Sequence, residues 1–194
     1  MLEQPQAADT TMKLMTLPNL ITIIRAMLIP VIAYLLAQQM FDEALILFGL
    51  CALGDLIDGH LARRWNQRTR FGAIADPLAD KLTMLTVTLM LAAEGQLPGW
   101  FAVAVITRDI VIVFGALAFH FLVHEFEMAP TLLSKLNTAL EFIVLTAVLV
   151  HAAQWLDLSL LLMPAYFIVT ATIALSGLNY VWVWGRRARR SMQR

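Results

Sequence analysis

Residues 42–80, DEALILFGLCALGDLIDGHLARRWNQRTRFGAIADPLAD, decide how this chain folds. The stretch starts as an apolar helix of membrane-spanning length and takes in Asp55 and Asp58. It then turns through a short arginine-rich loop and opens a second helix on Asp76 and Asp80. A carboxylate in a lipid-facing span is expensive unless a compensating charge accompanies it. The spacing shows how that cost is met: Asp55 and Asp58 lie three residues apart and Asp76 and Asp80 four apart, so each pair shares one helical face. Two antiparallel helices joined by a short loop bring both faces together at one end. Four carboxylates gathered there repel one another unless cations occupy the pocket. Hard divalent ions, Mg2+ or Mn2+ and two in number, match an all-oxygen donor set of this charge.

Outward from this segment, 60% of the 194 residues are apolar, more than a soluble domain of this length can bury in one core. At roughly 17–25 residues per crossing, the apolar runs predict six helices, at 19–38, 42–64, 77–95, 98–122, 132–153 and 158–184. The expected fold is an all-α, polytopic integral membrane bundle of six transmembrane helices forming a single domain over 1–194. Residues 1–18 form a polar, interfacial N-terminal segment and 185–194 a basic tail. The charges are balanced overall, 14 against 14, but lopsided in position. Arg63, Arg64, Arg68 and Arg70 follow the second helix, Lys135 opens the fifth, and Arg186, Arg187, Arg189, Arg190 and Arg194 follow the sixth. The loops at the other end, around Asp42, Glu94 and Ala152, have neither lysine nor arginine. Short-loop basic residues mark the cytoplasmic side, so both termini and the aspartates are expected there. Tyr180, Trp182 and Trp184 precede the basic tail as an interfacial belt would, which makes the tail a membrane-surface anchor and not a nucleic-acid site. Cys51 is the single cysteine and excludes an intrachain disulfide or a cysteine metal site. Glu3 and Asp9, with no basic residue among the first eleven, fit neither a signal peptide nor an Arg-rich transit peptide and favour a bacterial inner membrane, with a processed organellar protein as the alternative.

Small residues alternate with the acids. Gly54, Gly59, Ala62, Gly72, Ala73, Ala75 and Ala79 let backbones or a large ligand approach closely. Arg63, one turn beyond Gly59, can hold a phosphate through its fork of donors. A metal pair beside an arginine and a glycine-lined wall is what a pyrophosphate-linked nucleotide requires.

These residues carry a resemblance. Asp55-Leu-Ile-Asp58-Gly59-His-Leu-Ala62-Arg63, eight further residues to Gly72, then Asp76 and Asp80, is similar to the signature of the CDP-alcohol phosphatidyltransferases, with every position filled. The resemblance implies that Asp55, Asp58, Asp76 and Asp80 ligate metal and that Asp80 also accepts the proton of the attacking hydroxyl. It further implies that Asn19, Thr22, Gly59, Ala62, Arg63, Thr69 and Gly72 contact the CDP-lipid, and that the protein is a homodimer. An uncharged hydroxyl needs such a base as it attacks phosphorus.

Leu17-Pro18-Asn19-Leu-Ile-Thr22-Ile-Ile-Arg25, Ala75-Asp76-Pro77-Leu-Ala-Asp80-Lys81, Thr107-Arg108-Asp109 and Ser134-Lys135-Leu-Asn137-Thr138 look like the branch that contains CMP-forming cardiolipin synthases and phosphatidylglycerophosphate synthases. Arg108, Lys135 and Asn137 are the candidates for the acceptor's phosphate, because an arginine in a span needs an anionic partner; Asp109 is the alternative partner for Arg108. Asn137 and Asp109, where the second group typically has lysine and glutamate, favour phosphatidylglycerol as the acceptor of a CDP-diacylglycerol over glycerol-3-phosphate. Glu141 departs from the glutamine usual in the first group. A carboxylate-lined ion transporter is the competing class, but transport charges are usually spaced through the membrane depth, and here all four aspartates gather at one end.

Overall fold

The computed structural model describes residues 17–64, 70–123 and 132–191, with side chains over 20–54, 75–112 and 134–177. Among these residues the chain is all-α, with no strand. Its helices are α1 (Leu17–Ala37), α2 (Phe41–Arg64), α3 (Arg70–Ala93), α4 (Gly99–Val123), α5 (Leu132–Ala152) and α6 (Ser159–Ser191). Three stretches, Leu20–Ala37, Ser134–Ala152 and Ser159–Gly177, are long and apolar enough to cross a membrane. α2, α3 and α4 have 24, 24 and 25 residues, and each exceeds roughly 30 Å at about 1.5 Å per residue.

Two boundaries differ from the sequence expectation. α3 begins at Arg70 rather than 77 and runs through Pro77. Gly72 and Asp76 therefore sit inside a helix and not ahead of one. A proline is easiest to place in a first turn, which is why it read as a start. Within a packed bundle, neighbouring helices can take up the carbonyl it leaves unbonded. α6 continues past 184 to Ser191, because arginine is a good helix former even where the apolar pattern has ended.

The turns α1–α2, α3–α4 and α5–α6 share one design. Gln39 (φ 58°), Gly95 (φ 71°) and Gln154 (φ 58°) are left-handed. Each turn closes with paired backbone bonds, such as Gln39 N–H to Leu36 O (3.0 Å) and Met40 N–H to Leu35 O (2.9 Å). These are Schellman caps, which satisfy the last carbonyls of a helix. The same end is tied by Gln39 Nε2 donating to Glu94 (2.9 Å) and by the Trp155 indole N–H donating to Asp42. Asp157 accepts the Ser159 N–H at 3.0 Å, which holds its carboxyl below the usual carboxylate range.

α1 packs on α2 and α3, α5 on α2, α3 and α6, and α4 on α3 and α6. The apolar core lies between them, around Leu36, Phe48, Val87, Leu91, Phe101, Leu145, Val148, Leu149 and Val169. Phe48 of α2 stacks on Phe142 of α5 at 5.0 Å, and Phe101 of α4 meets Tyr166 of α6 at 4.9 Å. With its capped turns at one end and its core in the middle, the bundle leaves the polar residues to its other end.

Candidate functional site

That polar end is built on α1 and α3. Thr22 and Arg25 lie three residues apart on α1, and Asp76 and Asp80 four apart on α3, so the two faces match rung for rung. The Thr22 hydroxyl donates to Asp76 Oδ1, and the Arg25 guanidinium donates to Asp80 Oδ1. Arg25 is buried to 3% exposure while Asp80 keeps 45%. The pair thus anchors its cation among the helices and presents its carboxylate. Gly54 brings α2 to the same level: a Cβ there would meet Ile21 Cγ2 at 3.6 Å. Helix position 54 therefore stands beside Ile21 of α1.

Asp80 also lines a cavity of about 540 Å3 enclosed by α1, α2, α3 and α5. Its polar lining is Arg25, Asp80, Thr83, Lys135 and Thr138, and the rest is apolar, with Phe48, Cys51, Met84, Phe142 and Ile143. Lys135 is exposed there and forms no ion pair with a described residue.

A second polar group lies between α3, α4 and α5. Asp109 takes Lys81 Nζ at 2.6 Å and Arg108 Nη1 at 2.7 Å. Arg108 Nη2 also donates to the Ser134 carbonyl (3.1 Å), Ser134 Oγ (3.2 Å) and Thr138 Oγ1 (3.4 Å). The anionic partner that Arg108 needs is therefore supplied within the chain by Asp109. Asn137 is fully buried, and its Oδ1 accepts from the Thr172 hydroxyl of α6 at 2.7 Å. Of the three residues expected at the acceptor's phosphate, Lys135 reaches the cavity; Arg108 and Asn137 are not among those lining it.

The remaining expected contacts lie outside the described side chains. Asn19 is placed only as a position on α1, Asp55, Asp58, Gly59, Ala62 and Arg63 on α2, and Gly72 on α3, while Thr69 falls outside the described residues altogether. Arg25 and Lys81 stand in the sequence motifs with no role that spacing assigns them. The signal that could have found them is the matched spacing of 22/25 with 76/80, and the step from Asp80 to its neighbour. Thr22, expected at the CDP-lipid, bonds to Asp76.

The donor set fits a hard divalent ion. Asp76 and Asp80 offer carboxylate oxygens from one helical face of α3, and Gly54, one residue before Asp55, packs α2 against α1. Among the described residues no three acidic, histidine or cysteine side chains gather; Asp55 and Asp58 are not among those side chains.

Residues 15–176 match the CDP-alcohol phosphatidyltransferase family, whose members use divalent metal. The cardiolipin synthase (CMP-forming) of Homo sapiens is 30% identical over 188 residues, covering 89% of this chain and 62% of that protein. A cardiolipin synthase (CMP-forming) and mitochondrial hydrolase fusion protein of Schizosaccharomyces pombe is 33% identical over 180 residues, 85% of this chain and 30% of that protein. The CDP-diacylglycerol–glycerol-3-phosphate 3-phosphatidyltransferase of Escherichia coli is 32% identical over 172 residues, 85% of this chain and 92% of that protein. The chain thus spans less than two thirds of the length of these two eukaryotic relatives and nearly all of the bacterial one. With the signature complete and the match running through five helices and into the sixth, the chain belongs to the CDP-alcohol phosphatidyltransferase family.

Proposed function

We propose that this chain transfers the phosphatidyl group of a CDP-diacylglycerol to the hydroxyl of phosphatidylglycerol, giving cardiolipin and CMP. The observation that carries this reading is the cavity beside Asp80. Its lining includes the exposed Lys135, a cation for one phosphodiester, and its apolar walls suit an acceptor that carries acyl chains. A water-soluble phosphomonoester has no use for those walls.

In this reading Asp80 takes the acceptor's hydroxyl proton on its carboxylate as the acceptor oxygen bonds to the phosphatidyl phosphorus. The pyrophosphate P–O bond to CMP breaks, and CMP leaves. Arg25 keeps the Asp80 carboxylate aimed at the cavity, and Thr22 fixes the rotamer of Asp76. Lys135 meets the acceptor's phosphate, with Arg108 and Asn137 supporting it from behind. Asn19, Thr22, Gly59, Ala62, Arg63, Thr69 and Gly72 hold the CDP-lipid. Two Mg2+ or Mn2+ ions, held by Asp55, Asp58, Asp76 and Asp80, would supply neutralisation of the pyrophosphate and polarisation of its phosphorus.

The same reading places six spans in a bacterial inner membrane, with both termini and the site cytoplasmic and the chain a homodimer within one domain. A second reading, glycerol-3-phosphate as acceptor, is favoured by the near full-length match to the Escherichia coli relative. Turnover of CDP-diacylglycerol by the purified protein with each acceptor in parallel separates the two, since one product is a lipid dimer and the other a phosphomonoester.

A further inference from the structure

The cavity beside Asp80 has a direction. α5 lines it with Lys135, Thr138, Ala139, Phe142 and Ile143, positions that recur at three- and four-residue steps and so form one face of the helix. From Lys135 to Ile143 that face runs about 12 Å, at about 1.5 Å per residue. α1, α3 and α5 start at the polar end and α2 returns to it, so chain direction orders the lining by depth. Arg25, Asp80 and Lys135 stand at the polar level, and Phe48, Met84, Phe142 and Ile143 lie deeper. The Thr83 hydroxyl adds no polarity to the deeper part, because it donates to the Ala79 carbonyl of its own helix at 2.8 Å. At the bottom, Phe48 of α2 stacks on Phe142 of α5 and closes the two helices against each other.

Lys135, Ala139 and Ile143 stand four residues apart, line the cavity and are nonetheless exposed, Ile143 to 59%. The cavity is therefore a slot with an open side along α5. Residues Ser134–Ala152 of α5 are long and apolar enough to cross a membrane, so in a bilayer the open side faces hydrocarbon. Ala139 is the small residue in the middle of that stripe, and a large side chain there would fill the slot. One leaflet supplies about half of a roughly 30 Å hydrocarbon core, or about 15 Å. A slot of about 12 Å thus matches the greater part of one acyl chain. Its occupant follows from continuity: the lipid whose headgroup meets Lys135 and Asp80 is the one whose chain lies below them.

We propose that one acyl chain of the lipid acceptor enters this slot sideways from the bilayer, lies along Lys135, Ala139 and Ile143, and is stopped by the Phe48–Phe142 stack. Ala139 and Phe142 are then specificity-determining residues: the first keeps the slot open, and the second sets the chain length that fits. A chain that leaves bilayer hydrocarbon for an apolar slot gains little from the transfer itself. Discrimination comes from shape, through the cost of overfilling a packed space. The inference deepens the proposed function and rests on it in taking the acceptor to be a lipid.

The test offers dioleoyl and dihexanoyl phosphatidylglycerol in mixed micelles and measures kcat/KM for each, together with KM for CDP-diacylglycerol and the melting temperature. A six-carbon chain stops short of the deep half of the slot, so the ratio of the two kcat/KM values reads that half. In Ala139→Phe the dioleoyl to dihexanoyl ratio should fall about tenfold, with the CDP-diacylglycerol KM within about twofold. In Phe142→Leu, which lowers the stop, the ratio should rise about threefold. A folded Ala139→Phe protein with an unchanged ratio, because neither acceptor or both lose equally, would overturn the proposal. A rise in the CDP-diacylglycerol KM without a change in the ratio would assign the slot to the donor and overturn it as well. If Ala139→Phe does not fold, Ala139→Leu decides, with a fall of about threefold expected and an unchanged ratio refuting the slot. A ratio that does not rise in Phe142→Leu would remove the stack as the stop. An unaltered protein that turns over only with glycerol-3-phosphate sinks the phosphatidylglycerol reading and this inference with it, a result seen before any variant is made.

Discussion

Asp80 and Lys81 are neighbours in the chain, yet they belong to two polar regions with opposite character. Asp80 turns to α1 and the cavity: its cation is buried, and its own carboxylate is 45% exposed. Lys81 turns to α4, where Asp109, at 15% exposure, is shared between two cations and Arg108 is spent on α5 as well. The first region holds a carboxylate ready for something that enters the cavity. The second holds helices together. One helix serves both because successive side chains diverge by about 100° around its axis. Charge in an apolar helix is thus not by itself a sign of chemistry; what separates the two regions is whether a charge keeps an open side.

Substitutions at the two sites should differ in what they disturb. Asp80→Asn should have the largest effect, lowering CMP release by about a thousandfold or more if Asp80 is the base. Binding of CDP-diacylglycerol and the melting temperature should change little, and full activity would remove the proposed base. Arg25→Met takes away the charged partner that aims Asp80, so a loss of roughly ten- to a hundredfold is expected in kcat. Thr22→Val keeps the shape and removes one neutral hydrogen bond to Asp76. It should cost about two- to tenfold in kcat/KM, and a protein indistinguishable from the unaltered one would show that the Asp76 rotamer needs no help. Lys81→Met belongs to the other region and should be felt as stability, about 0.5–1 kcal/mol in a denaturation experiment, with turnover kept within about threefold. A large loss of turnover with intact stability would erase the distinction between the regions.

The sequence made the four aspartates and their helices legible because their three- and four-residue spacings are local. The partners of Asp76 and Asp80 were less legible. Thr22 and Arg25 lie 54 and 55 residues away from them, and no local pattern announces which helix packs against α3. Arg108 and Asp109 illustrate the same limit. Their adjacency suggested a pair, and the structure forms it, but the share taken by Lys81, 28 residues away, depends on α3 meeting α4. Glu141, buried to 1% exposure, was visible only as a departure from a usual glutamine, since α5 is apolar on most sides and its buried face leaves no periodic signature. Helix ends were displaced where proline and arginine obscured them, at Pro77 and at the arginines that extend α6.

Whether the cavity beside Asp80 takes a lipid acceptor is decided by CMP release from CDP-diacylglycerol by the purified protein with Mg2+ or Mn2+, offering phosphatidylglycerol or glycerol-3-phosphate and adding a chelator to each. Chelator-sensitive release with phosphatidylglycerol, and cardiolipin among the products, is the predicted result. Release with glycerol-3-phosphate alone would contradict it and assign the acceptor to the water-soluble phosphomonoester.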